Sequence, residues 1–66
     1  MKTYLLVFHL GKVIAAYSGN DIGDYDNCAR MLVRYTPLLY YVPLKYQFED
    51  VTFTCEKFSK PPKIED

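Results

Sequence analysis

Residues Thr3 to Leu10, TYLLVFHL, form an apolar run rich in β-branched and aromatic side chains, too short for a typical helix and suited to a strand. Gly11-Lys12 then reads as a two-residue type II′ turn with glycine at the first central position, and Val13 to Tyr17 returns as a second strand. That register sets Leu10 against Val13, Phe8 against Ala15 and Leu6 against Tyr17. One face of the hairpin then carries Tyr4, Leu6, Phe8, Leu10, Val13, Ala15 and Tyr17. The other carries Thr3, Leu5, Val7, His9, Ile14, Ala16 and Ser18, and is also largely apolar. A strand apolar on both faces is either central in a sheet covered on both sides, or reserves one face for something outside the chain.

The period changes after the turn-forming loop Ser18 to Gly23. Across Asp24 to Thr36, Tyr25, Cys28, Ala29, Leu32 and Thr36 fall at i, i+3, i+4, i+7 and i+11, while Asp26, Asn27, Arg30 and Arg34 cluster opposite. This is one helix with one buried stripe. Asp24 is the expected N-cap, with Asp21 as a rival, and Asp26 meets the positive end of the helix dipole. Asp26 and Arg30 form an i, i+4 pair in the favourable order. Thr36-Pro37 closes the helix, because a residue before proline is pushed out of the helical region.

Leu38 to Phe48 and Val51 to Lys57 read as a second hairpin. With Glu49-Asp50 as the turn, Phe48 opposes Val51, Tyr46 opposes Phe53 and Leu44 opposes Cys55, leaving Lys45, Gln47, Thr52, Thr54 and Glu56 on a polar face. Pro43 cannot donate to a ladder, which points to an edge position or a bulge. The expected fold is α+β, a β-β-α-β-β chain forming a four-stranded antiparallel sheet with one helix packed on one face. It comprises a single domain over 1–58 and a flexible proline-containing tail over 59–66. The first strand is interior, in an order such as 2-1-3-4. A helix over the Leu6–Phe8 face would leave Leu5, Val7, Ile14 and Ala16 bare beside Thr52 and Thr54.

Composition narrows the function classes. The 66 residues are half apolar, with seven Tyr and four Phe, which is too hydrophobic for a disordered chain. At this size the core is small and stability is marginal. Eight basic and eight acidic residues give no net charge, against the basic excess that phosphate binding calls for. Zero net charge also favours self-association or a constitutive partner. Residues 1 to 18 have a secretory-signal flavour, but His9, Gly11 and Lys12 interrupt the apolar run early, and no stretch approaches the ~20 apolar residues of a membrane helix. The expectation is a cytoplasmic protein with no membrane association.

Cys28 and Cys55, 27 positions apart without a CxxC pair, fit two buried thiols in a reducing compartment, with a disulfide or a nucleophilic Cys28 as lesser readings. His9 has no evident orienting carboxylate and no cysteine on its face, so neither general-base nor zinc chemistry is expected. Asn20, Asp21, Asp24 and Asp26 lack calcium-loop spacing and are explained by helix capping. No cofactor and no enzymatic activity are expected.

The expected function is that of a small non-enzymatic protein-binding module acting through an exposed apolar sheet face or sheet edge, in the manner of viral or mobile-element inhibitors of host machinery. The expected contact residues are Leu5, Val7, His9 and Ile14 on the sheet, Arg30, Arg34 and Tyr35 on the helix, and Tyr41. Its partner would be a larger protein, with a homodimer through the same face as the competing form. The alternative is a single-stranded nucleic-acid binder using sheet aromatics, weakened by arginines that lie on the helix rather than the sheet.

Overall fold

The computed structural model describes residues 1–34 and 38–65. It is an α+β fold in which one helix packs on a three-stranded antiparallel sheet of order β2-β1-β3. β1 (Lys2–His9) is the central strand, β2 (Lys12–Tyr17) returns from it, α1 (Tyr25–Val33) follows the loop, and β3 (Thr52–Phe58) pairs with the other edge of β1.

The first hairpin forms with its turn one residue earlier than expected. His9 pairs with Lys12, so the central turn residues are Leu10 and Gly11, both at positive φ, 53° and 78°. This is the geometry of a type I′ turn, which suits the right-handed twist of the flanking strands. Leucine is a poor occupant of the left-handed region, and its side chain is exposed. Leu10→Asn places the favoured Asn-Gly pair in the turn and is expected to raise stability by about 0.5–1 kcal/mol, read as a higher urea midpoint with unchanged slope.

A bulge lies next to the turn. Val7 pairs with Ala15 and Phe8 with Val13, leaving Ile14 as the extra residue of β2. It brings Ile14 beside Ala15 on the Val7 side of the sheet, where both pack with Val42.

The helix covers the face opposite to the one expected. Leu5, Ile22, Cys28 and Cys55 form one buried cluster, flanked by Met31, Leu32, Leu38 and Tyr41, and Val7, Ile14, Ala15 and Val42 form a second. Leu5 and Val7 are 0% exposed and Ile14 is buried, so the bare apolar face expected at these residues does not exist. α1 contributes Cys28, Met31 and Leu32, while Val42 arrives from the connection to β3.

That connection is not a strand. Leu38–Tyr41 and Leu44–Tyr46 are 3₁₀ turns, and the second hairpin, with its Leu44–Cys55 and Tyr46–Phe53 pairs, is absent among the described residues. Pro43 sits at φ −56° before the second turn and its carbonyl accepts from Tyr46 N–H at 2.8 Å. A proline with its φ fixed near that value starts a tight turn readily and cannot donate to a ladder. Leu44 and Phe48, expected in the core, are exposed, Phe48 at 99%. β3 pairs with β1 instead, setting Cys55 opposite Leu5 and Phe53 opposite Val7.

Helix α1 starts as its sequence predicts. The Asp24 carboxylate accepts from Asn27 N–H at 2.9 Å, Asp26 occupies the first turn, and the Asn27 side-chain amide donates back to Ile22 carbonyl at 2.9 Å. The last contact ties the loop to the helix and seats Ile22, which is fully buried. Among the described residues no ion pair joins Asp26 and Arg30. The Thr36-Pro37 stop and Tyr35 lie outside the described residues.

Cys28 and Cys55 are joined in a disulfide, with Cα atoms 6.1 Å apart. This replaces the two free thiols expected from their spacing. The cause is topological: with β3 beside β1 and α1 across both, the two cysteines meet over Leu5.

The second sheet face carries Tyr4, Leu6, Phe8 and Ala16, with Leu6 only 2% exposed although α1 and the 3₁₀ turns pack on the opposite side. Phe58 packs edge-on against Tyr4 at 5.8 Å, and Pro62 is half-buried. At the far end of this segment Glu65 N–H donates to Val13 carbonyl at 2.8 Å and Val13 N–H donates to the Glu65 carboxylate at 3.0 Å. Residues 59–65 therefore pass from the end of β3 to β2 across this face. Beneath them Thr54 Oγ1 is buried without a hydrogen-bond partner. Thr54→Val removes that orphan and is expected to raise the unfolding free energy by about 1 kcal/mol in denaturant titration.

Candidate functional site

Three of the expected contact residues converge. Arg30 on α1 and Arg34, the C-cap that ends it, line a cleft of about 410 Å³ together with Asn27 and Met31 from the helix, Asp21 from the loop and Tyr41 from the first 3₁₀ turn. The helix spacing 27, 30, 31 puts three of these side chains on one flank, and Arg34 joins the lining from the C-cap. The opposite wall exists because Tyr41 packs edge-on against Tyr17 at 5.1 Å, and so is held against the sheet. Tyr40 stacks perpendicular to it at 5.2 Å and is exposed beyond it.

The cleft has a defined electrostatic character. Neither arginine makes an ion pair among the described residues, so two guanidinium groups face the opening with their donors available. Tyr41 has its pKa raised above 10.0, first by partial burial, then by the negative charge of Asp21 and the neighbouring Tyr40. The phenol thus stays protonated and able to donate.

The raised value also fixes a sign. The folded state keeps the Tyr41 proton to a higher pH than the unfolded chain does, so the stabilisation is fully present below pH 10.0 and is lost as pH rises through the folded pKa. Ultraviolet phenolate titration is expected to show a late-titrating component that disappears in Tyr41→Phe.

The remaining expected residues lie elsewhere. Leu5, Val7 and Ile14 are core. His9 is half-buried at the other end of the sheet, packed on the Tyr46 ring at 5.0 Å and 3.5 Å from Glu49, a pairing that is ionic only when the imidazole is protonated. Asp21, Asn27 and Met31 were not among the expected contacts. Asp21 reads in the sequence as a rival helix cap and Asn27 as one residue of the helix's polar face beside Arg30 and Arg34, and nothing local signals that Asp21 and Tyr41 close a cleft with them.

A wider hollow of about 570 Å³ adjoins the start of α1, lined among others by Lys2, Asp24, Tyr25 and Lys57. At that helix end the Asn27 N–H is already taken by the Asp24 carboxylate, and Lys57 Nζ lies over the Tyr25 ring at 5.8 Å. Among the described residues no group of three or more His, Cys, Asp or Glu could hold a metal ion, and no helix is long and apolar enough to cross a membrane.

Comparison with protein-family models, with curated proteins and with solved structures finds no match for this chain.

Proposed function

We propose that the protein is a small non-enzymatic protein-binding module, and that its contact surface is the side formed by the end of α1 and the connection to β3. The observation that carries this reading is the distribution of exposed large apolar side chains. Of nine such residues among those described, five fall within the short span from Val33 to Phe48: Val33, Leu39, Tyr40, Leu44 and Phe48. Single exposed apolar residues are ordinary, but a concentration in one span bordered by arginines and tyrosines has the composition of an interface.

Both sheet faces are covered, one by α1 and the 3₁₀ turns and the other by residues 59–65, which moves the proposed contact off the sheet. The same cover weakens the nucleic-acid alternative, since Tyr4 and Leu6 are buried rather than offered for base stacking. The Cys28–Cys55 disulfide favours an oxidising compartment over the cytoplasm, where thiols are kept reduced.

The test is affinity capture from the native source by the wild-type protein and by Leu39→Asp/Tyr40→Asp, with Leu10→Asn as an exposed control outside the span. A partner held by wild type and control but lost by the folded double variant supports the proposal. Retention by all three removes it.

A further inference from the structure

We propose that the Arg30–Arg34–Tyr41 cleft is the recognition site for a single carboxylate side chain, Glu or Asp, presented by an acidic-apolar peptide segment of the partner. The inference rests on the protein-binding reading above and assigns the chemistry of one of its contacts.

Three observations carry it. First, the cleft gathers two guanidinium groups that make no ion pair among the described residues, although Asp26 stands four residues before Arg30. Two like charges lining one cleft oppose each other, and a bound carboxylate relieves that opposition while accepting from both planar forks. Second, Tyr41 supplies a neutral hydroxyl on the facing wall, so that a carboxylate between the walls meets donors from both.

Third, Asp21 sets the charge that the site accepts. It lies on the same lining, close enough to act on Tyr41 through its charge, so the lining carries two positive groups and one negative. A singly charged carboxylate balances that sum. A phosphate, carrying close to two negative charges at neutral pH, would meet repulsion from Asp21. The occupant is a peptide side chain because apolar surface adjoins the cleft: Met31 lines it, and Tyr40, Leu39 and Val33 are exposed on the same two elements. Apolar residues flanking the acidic one would lie there.

The experiment uses the full chain and a fluorescein-labelled, C-terminally amidated peptide of alternating Glu and Leu, read by anisotropy, with an otherwise identical Gln-Leu peptide as isostere. The Glu peptide is expected to bind, to lose about tenfold or more in affinity with Arg30→Gln/Arg34→Gln, and to exceed the Gln peptide by a similar factor. Tyr41→Phe should weaken it by a smaller factor. Inorganic phosphate at matched ionic strength should not compete beyond a chloride control.

Equal binding of the two peptides, or binding unchanged in the folded double-arginine variant, overturns the assignment. So does selective displacement by phosphate, which would make the cleft a free-anion site. Failure here is separable from failure of the protein-binding reading. If that reading alone holds, the double-arginine variant still captures the partner that Leu39→Asp/Tyr40→Asp loses.

Discussion

Replacing Cys28 and Cys55 together by alanine is expected to lower the unfolding free energy by about 3 to 4 kcal/mol. The bond closes a loop with a sequence separation of 27 residues, and the chain-entropy model assigns that closure about 3.5 kcal/mol at 25 °C. A domain of this length commonly holds about 0.05–0.15 kcal/mol per residue, so the bond represents a large share of the whole. Geometry adds to the effect. Cys28 is 0% exposed and anchors α1 to β3 over Leu5, so its loss also loosens the packing of the helix on the sheet. Urea unfolding followed by far-ultraviolet circular dichroism is the measurement. The variant should show a lower midpoint and a steeper slope, because the unfolded chain without its cross-link exposes more surface. A variant as stable as wild type would mean that the helix is held by burial alone.

Leu5→Ala is expected to cost about 2 to 5 kcal/mol, the range for truncating a fully buried leucine where the cavity cannot collapse. Leu5 sits on the central strand, opposite Cys55 on one side and Tyr17 on the other, beneath Ile22 and Cys28. Three of these neighbours are tied in place by the disulfide or the sheet, which leaves little freedom to fill the space. The same substitution separates the observed packing from the one that the hydrophobic pattern suggests. On a bare sheet face, a Leu5 truncation would change stability by about 0.5 kcal/mol or less. A large loss of stability in denaturant titration identifies Leu5 as core.

Much of the first half of the chain is legible because its signals are local. β1 announces itself by composition, the Asp24 cap by its position before a 3.6-residue stripe, and both cysteines by their apolar faces. Register is less legible. Gly11 can serve a two-residue turn as its first or second residue, and the choice moves each partner beside the turn by two positions, so that Phe8 meets Val13 rather than Ala15. Here the strands prefer Leu10-Gly11 even with leucine at φ 53°, and the bulge at Ile14 then turns that side chain toward the Val7 side.

The face of β1 that the helix covers is not encoded locally at all, since Leu5-Val7 and Leu6-Phe8 are equally apolar. It is decided by what closes over each side, and on one side that is the 59–65 segment, whose proline-rich sequence reads as tail. The span 38–48 misleads for a different reason. Its apolar residues are nearly continuous, so any alternation can be drawn through them, and Pro43 is the signal that a turn rather than a ladder forms there. Of the cleft, Arg30, Arg34 and Tyr41 are visible as surface or aromatic residues in the sequence, but their meeting depends on that turn and is visible only in three dimensions.

The proposed contact surface is the side formed by the end of α1 and the connection to β3, rather than the sheet. Amide hydrogen exchange of the protein, free and bound to its captured partner, tests this most directly. Protection on binding is expected to concentrate in residues 38–48 and the last turn of α1, with β3 and the 59–65 segment unchanged. Protection confined to β3 or to 59–65, with 38–48 exchanging as in the free protein, would contradict it.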